Sequence, residues 1–393
     1  MTRHARTTFL SSVALAAFFL TANQSFAIEP GDFNATLTGA TIGIPFGAAP
    51  PPGIYSSLQS FVGPNGVGTG QNSAANNAGP YMKGLTVFGQ ANTASLAWST
   101  GYSIFGGSLV LAAIQPFFTV GGLSTNCQPI AGGNCIGSPP IGFGGFITPA
   151  GPSGAGFFEN IHNTIWSSAV SWNWHNGFFT SLGFNFQGPD GSQYNGTLNQ
   201  DYWTFQPTAA IAYLSKEWKI GINADYEVHT ASAGHTGSYA AVASNTSANV
   251  VLPAALITAP NGCVGFQCPG IGYTSGQQLF IDWSAEYKWG KWSFGPAGNF
   301  KFQTTADSPG SGWSCAGLAA NVAYAGVGLT CGKATDISLG GILGYDLGGA
   351  ELQTWVVDSV YNKDDFSGLE IFTRLSFKLG GPPPAPMATK APQ

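Results

Sequence analysis

Alternation of apolar and polar residues, sustained for ten residues or more, most narrows what this 393-residue chain can become. From Trp218 to Val228 one face reads Trp218, Ile220, Ile222, Ala224, Tyr226 and Val228, while the other reads Lys219, Gly221, Asn223, Asp225 and Glu227. From Leu279 onward, Leu279, Ile281, Trp283, Ala285 and Tyr287 alternate with Phe280, Asp282, Ser284, Glu286 and Lys288. Trp292, Phe294, Phe300 and Phe302 oppose Ser293, Asn299 and Lys301; Leu369, Ile371, Leu375, Phe377 and Leu379 oppose Glu370, Arg374, Ser376 and Lys378. Successive side chains of a strand point to opposite faces, so each run reads as a two-faced strand. At about ten residues these are roughly twice the usual length of soluble strands and long enough to cross a bilayer. Many carry Trp or Tyr at an end, where interfacial aromatic girdles sit.

Composition removes the competing classes. Charged residues make up 8% of the chain, against about 25% in an ordinary soluble domain. A soluble globule so poor in charge would not stay in solution, and 13% aromatic residues argue against disorder. Beyond the N-terminus no apolar run approaches the roughly 20 residues a helical span needs. The net charge of −5 offers no basic surface for nucleic acid. A chain that is apolar without long apolar runs fits an all-β fold: a transmembrane, antiparallel, up-and-down β-barrel.

The N-terminus reads as an export signal. Arg3, His4 and Arg6 precede an apolar stretch from Phe9 to Leu20, and Ser25-Phe26-Ala27 fits a cleavage box. Residues 1–27 are therefore expected to be removed, with Ile28 as the mature start; losing Arg3 and Arg6 takes the net charge from −5 to −7. Residues 28–52, ending in Pro50-Pro51-Pro52, cannot form a central strand and are expected either in the periplasm or folded back as a plug. Residues 53–379 are expected to form the barrel. Residues 380–393, rich in proline, read as a periplasmic extended tail.

Strands are predicted near 53–62, 85–101, 108–120, 161–174, 178–187, 202–214, 218–229, 279–289, 291–303, 336–347, 351–361 and 369–379. Twelve strands put both ends of the barrel on one side. Short connections such as His175-Asn176-Gly177 and Gly348-Gly349-Ala350 then lie in the periplasm, and the long connections lie outside the cell. The six cysteines form three local pairs, all in long connections: Cys127 with Cys135, Cys263 with Cys268 and Cys315 with Cys331. Local closure is entropically cheapest, so three loop disulfides are expected. No histidine neighbours any pair and the C-x2-C spacing of a zinc site is missing, so no metal is expected there.

Nucleophile elbows, phosphate-binding loops and H-E-x-x-H helices are absent from the sequence; neither an enzyme nor a cofactor is expected. Function should reside on the inward face. Its charged candidates are Lys219, Asp225, Glu227, Asp282, Glu286, Lys288, Lys301, Asp346, Glu370, Arg374 and Lys378, with His229 and the aromatics Tyr202, Phe179, Phe280 and Phe372 beside them. Arg374 is the only arginine after residue 27. Such charges could form a selective ladder across the lumen or simply the hydrated wall of a barrel.

Several stretches resemble one family. Glu29-Pro30-Gly31-Asp32-Phe33 is similar to its opening, and Pro50-Pro51-Pro52-Gly53-Ile54-Tyr55 to its Pro-Pro-Gly-hydrophobic-Tyr element. Asn199-Gln200-Asp201-Tyr202-Trp203-Thr204-Phe205-Gln206-Pro207 resembles its central strand. Leu343-Gly344-Tyr345-Asp346-Leu347 and Phe372-Thr373-Arg374-Leu375-Ser376-Phe377 also resemble it. These are the outer-membrane "meta-pathway of phenol degradation" proteins. The resemblance implies uptake connected with aromatic breakdown and brings no catalytic residues.

The expectation is thus a bacterial outer-membrane channel, surrounded by lipid, that passes small solutes, aromatic or hydrophobic ones among them, by diffusion. The alternative is a barrel without transport that acts through its disulfide-pinned loops. Closing a short loop contributes at most about 2–3 kcal/mol. Replacing Cys263 and Cys268 with Ser should therefore leave barrel assembly intact, read as unchanged heat-modifiable mobility on a gel.

Overall fold

A computed structural model describes residues 37–67, 85–124, 128–129, 135–136, 157–191, 202–231, 273–306, 308–309, 333–363 and 366–380. The export signal, the proline-rich tail after Gly380 and all the cysteines except the backbone of Cys135 lie outside the described residues.

Twelve antiparallel wall strands form a closed ring. They are β1 (Gly53–Val67), β2 (Leu85–Ile104), β3 (Gly107–Ser124), β4 in two pieces (Phe157–Ile161 and Ile165–Asn173), β5 (Phe178–Gln187) and β6 (Thr204–Leu214). There follow β7 (Trp218–His229), β8 (Gln278–Trp289), β9 (Trp292–Gln303), β10 (Thr335–Asp346), β11 (Ala350–Lys363) and β12 (Phe366–Gly380). Every strand pairs with its neighbours in sequence, and β1 pairs with β12, from Ile54 opposite Gly380 to Val67 opposite Phe366. That last pairing leaves no edge. Two-residue pairings, Gln128–Pro129 with Cys135–Ile136 and Tyr273–Thr274 with Ser308–Pro309, decorate the long-loop end. Among the described residues there is no helix.

The strand count is the one expected, and most boundaries move by a few residues. The expected continuous strand over 161–174 is broken. Opposite the break lies Pro116 of β3, which has no N–H to give to the ladder. The chain compensates locally: His162 N donates to Pro116 O at 3.0 Å and the Gln115 amide donates to His162 O at 2.7 Å. The Thr164 hydroxyl closes the patch on Gln115 Oε1 at 2.9 Å. The expected strand from residue 202 begins only at Thr204, leaving Tyr202 just outside it.

Turns behave as their residues dictate. Between β4 and β5, His175, Asn176 and Gly177 all have positive φ (67°, 53° and 86°), a conformation that Gly and Asn tolerate best. A Cβ on Gly177 would lie 2.4 Å from Leu214 O, so this tight turn needs glycine on two counts.

The alternation sorts the side chains as a membrane demands. Ile211 of β6 pairs in register with Ile222 of β7, and they are 55% and 46% exposed on the outer surface. So contiguous an apolar exterior is at home in lipid and costly in water. At the short-turn end Trp218 packs edge-on against Tyr287 and Trp292 against Tyr345, with centroids 5.3 and 4.6 Å apart, forming an aromatic rim. The polar alternates face inward and are buried: Asn223, Asp282, Glu286, Asn299 and Arg374 are at most 4% exposed. Ile222→Lys places a charge on the lipid face, so it should cost about 2–4 kcal/mol, read from urea unfolding of the barrel refolded in vesicles.

Candidate functional site in the barrel interior

Residues 37–52 enter the ring and run across it. Their backbone closes on itself in successive turns: Ala40 N donates to Leu37 O (3.1 Å), Ile44 N to Thr41 O (3.1 Å) and Ala48 N to Pro45 O (2.8 Å). Gly39 and Gly43 provide the positive φ values, 80° and 77°, that this winding needs. Many of the remaining backbone groups are taken up by inward side chains of the wall.

Two opposed clamps do most of this. Asp282 of β8 accepts from Gly39 N (3.1 Å), Thr41 N (2.8 Å) and the Thr41 hydroxyl (2.7 Å). Arg374 of β12 donates to Ala40 O (3.3 Å) and Ile42 O (2.7 Å). Its guanidinium also reaches Gln59 Oε1 and Gln353 Oε1 and lies 4.7 Å from the centroid of the Trp355 ring. Trp355 is itself stacked on Phe372 at 5.0 Å and gives its indole N–H to Gly39 O at 3.1 Å. A carboxylate holding N–H groups and a guanidinium holding carbonyls make charge-assisted bonds of both signs to one short uncharged segment.

The segment then crosses the short-turn half of the lumen. The Asn223 amide of β7 donates to Thr41 O and Ile44 O, both at 3.1 Å. Ser171 of β4 donates to Gly47 O and accepts from Ala49 N at 3.0 Å. Ser99 of β2 donates to Pro50 O at 2.8 Å. At Gly53 the chain joins β1.

Some of the remaining inward charges pair with one another, and others meet backbone groups. Lys219 Nζ lies 3.2 Å from Glu286 Oε1 and 2.6 Å from Glu351 Oε1, and Ser293 donates to the other Glu286 oxygen at 2.7 Å. Lys301 sits opposite Asp336 in register, and Asp336 accepts from Ser338 and Asn362. Lys288 reaches across the rim to Ser215 O at 3.1 Å. Asp225 is half-buried in mid-wall, and Glu370 is half-buried toward the long loops. Asp346 is exposed at the short-turn rim and accepts from Gly348 N at 2.7 Å; its carboxylate caps the β10–β11 turn.

Toward the long loops, His229 Nδ1 is 3.0 Å from the Thr204 hydroxyl and Nε2 is 3.5 Å from Glu227. The Gln206 amide donates to the same Glu227, and Tyr202 packs edge-on against the His229 ring at 5.3 Å. A hydroxyl, an imidazole and a carboxylate in line have the order of a hydrolytic triad. Thr204, however, is 0% exposed, so its oxygen is enclosed within the wall.

Of the residues that the alternation singled out, the charged ones and His229, Phe280 and Phe372 lie on β7–β12, whereas Phe179 is on β5 and Tyr202 just before β6; the structure adds further partners. Gln353 and Trp355 share the face of Glu351, which a period-two reading of β11 assigns to the lumen. Asn223 and Ser171 are uncharged, and their role depends on a segment the alternation could not place.

A family model described as "Putative MetA-pathway of phenol degradation" matches residues 70–340. The chain belongs to this family. In fold, this family member is similar to the COG4313 outer membrane channel from Pseudomonas putida F1, with a TM-score of 0.55, 9% identity, and coverage of 84% of this chain and 96% of that one. It also matches the transport unit of the autotransporter AIDA-I from Escherichia coli, with a TM-score of 0.41, 8% identity, and coverage of 88% and 95%. No curated protein sequence matches it.

Removing Arg374 strands three buried acceptors. Arg374→Ala should therefore destabilise the barrel by about 3–5 kcal/mol in the same urea titration. Gly43→Val meets Ile342 Cδ1 at 2.5 Å and Gln353 Nε2 at 2.8 Å; it should displace the segment and expose residues 37–52 to protease added at the short-turn side.

Proposed function

We propose that the protein is a passive channel of the bacterial outer membrane that admits small molecules, aromatic or hydrophobic ones among them. In this reading residues 37–52 are a plug that narrows the bore. The observation that carries it is the occupied lumen: a polar-lined cylinder, closed to lipid, holds a segment that enters from the short-turn side and is gripped by side chains of opposite charge. A barrel serving only as a surface scaffold has no need for so specific an internal restraint. Twelve strands lie between the filled interior of an eight-stranded barrel and the wide aqueous pore of sixteen, a bore that one inserted segment can restrict. Membership of a family named for phenol degradation and the likeness in fold to an outer-membrane channel support transport over catalysis, and the family name favours aromatic solutes. Export through a cleaved signal at residues 1–27 fits the same destination.

The test is solute flux into proteoliposomes containing the refolded barrel. Wild type should pass small neutral solutes, and deletion of residues 28–49 should raise their flux several-fold. Gly43→Val should move flux in the same direction if the deletion variant fails to assemble. Flux absent from wild type and variants alike would favour a barrel that acts through its outer loops.

A further inference from the structure

The outer surface of the barrel has two unlike sides. On β6–β9 none of the outward positions is Ser, Thr, Asn or Gln. On β11, β12, β1 and β2 one outward row is wholly polar: Thr354 pairs with Thr373, Thr373 with Ser60, and Ser60 with Asn92. These four alternate with Trp355, Phe372, Phe61 and Ala91, which are at most 4% exposed and face the lumen, so they point toward lipid. The row does not lie at a water-facing rim. On its short-turn side the next paired row is Leu352, Leu375 and Leu58, and on its long-loop side it is Val356, Ile371 and Val62. Leu58 is 52% and Ile371 38% exposed. The Thr354 and Thr373 hydroxyls lie 3.3 Å from each other. The exposed Asn92 amide has no hydrogen-bond partner among the described residues, and hydrocarbon supplies none. Aromatic anchors are missing as well. The Trp and Tyr residues that line the short-turn rim on β7–β10 have no counterpart on β12 or β1. The only Tyr of those two strands, Tyr55, faces inward with its ring 5.9 Å from Lys378 Nζ.

We propose that this face, formed by β11, β12, β1 and β2, packs against the same face of a second copy of the chain within the membrane. Between two barrels in lipid there is no hydrophobic drive to associate, so polar contacts and close packing must hold them. Both are present here. Serine, threonine and asparagine side chains donate and accept alike, so the row is complementary to itself, as a two-fold contact requires. A two-fold axis along the membrane normal, between β12 and β1, sets β11 of one copy against β2 of the other. The β11 flank carries Thr354 and, toward the long loops, the exposed carboxylate of Asp358. The β2 flank carries the amides of Asn92 and Gln90, both on outward positions. A flank with a charged acceptor thus meets a flank of amide donors. The short hydroxyl side chains let the two walls approach, and the leucines, valines and isoleucine on either side pack around the polar row and keep lipid out of it.

The test places the photo-cross-linker p-benzoylphenylalanine at Ser60 or, for comparison, at Ile211 on the apolar side. Two differently tagged copies of the full-length chain are co-expressed in the outer membrane. Irradiation should give a doubly tagged, dimer-sized product from Ser60 at least tenfold more abundantly than from Ile211. In vesicles carrying donor-labelled and acceptor-labelled refolded barrel, Asn92→Leu combined with Thr373→Leu should lower the ratio of paired to single barrels at least tenfold. Leucine suits a lone barrel in lipid better than the residues it replaces, so this loss is not one that a damaged wall produces. Equal yields from the two positions, or products from Ser60 joined only to lipid or to a different protein, overturn the proposal. Unchanged pairing in the assembled double variant overturns it too. If that variant does not assemble, the cross-linking at Ser60 and Ile211 decides by itself.

Discussion

Within hydrocarbon a strand has no water to satisfy its N–H and C=O groups, so every edge must be paired or the fold does not exist there. The pairing of β1 with β12 meets that requirement, and the rest of the structure follows from it. Once the ring is closed, the period-two pattern has only two destinations, lipid and lumen. Ile211 and Ile222 go one way, and Asn223 and Asp282 the other. The same demand explains the repair of the break in β4, where Pro116 cannot donate and the side chains of Gln115 and Thr164, with the backbone of His162, rebuild the missing bonds.

Closure leaves the lumen with polar groups that must be satisfied in turn. Here the wall does so with an irregular piece of its own chain. Asp282 and Arg374 work as a complementary pair, one taking N–H groups and the other carbonyls from residues 39–42. Each charge is engaged by several dipoles, which makes its burial tolerable. The salt-bridged set of Lys219, Glu286 and Glu351 plays a similar part beside them.

The fold was largely legible because alternation is a local property and a barrel is built from local pairings. The runs of β7, β8, β9 and β12 show their two faces residue by residue, and their charged positions point inward as that pattern requires. The break in β4 was less visible, since it arises from a proline on the neighbouring strand rather than from β4 itself. The interior was legible only as a set of faces. Nothing within residues 37–49 announces Asp282 or Arg374 as partners, because those contacts join positions more than 240 residues apart. Trp355 illustrates the same gap: a large aromatic is as much at home facing lipid as facing in, and the carbonyl of Gly39, with Phe372 and Arg374 on its ring, explains its choice. Asp346 shows the reverse, a position with the right parity whose carboxylate folds onto the adjacent turn.

The gripped segment is joined directly to Gly53, the first residue of the wall. Being tethered, it competes for its own binding groove at an effective concentration on the order of millimolar. Any molecule that competes for the groove contends with a neighbour that never diffuses away. The covalent junction at β1 thus keeps the segment's own groups next to the inward side chains that bind them.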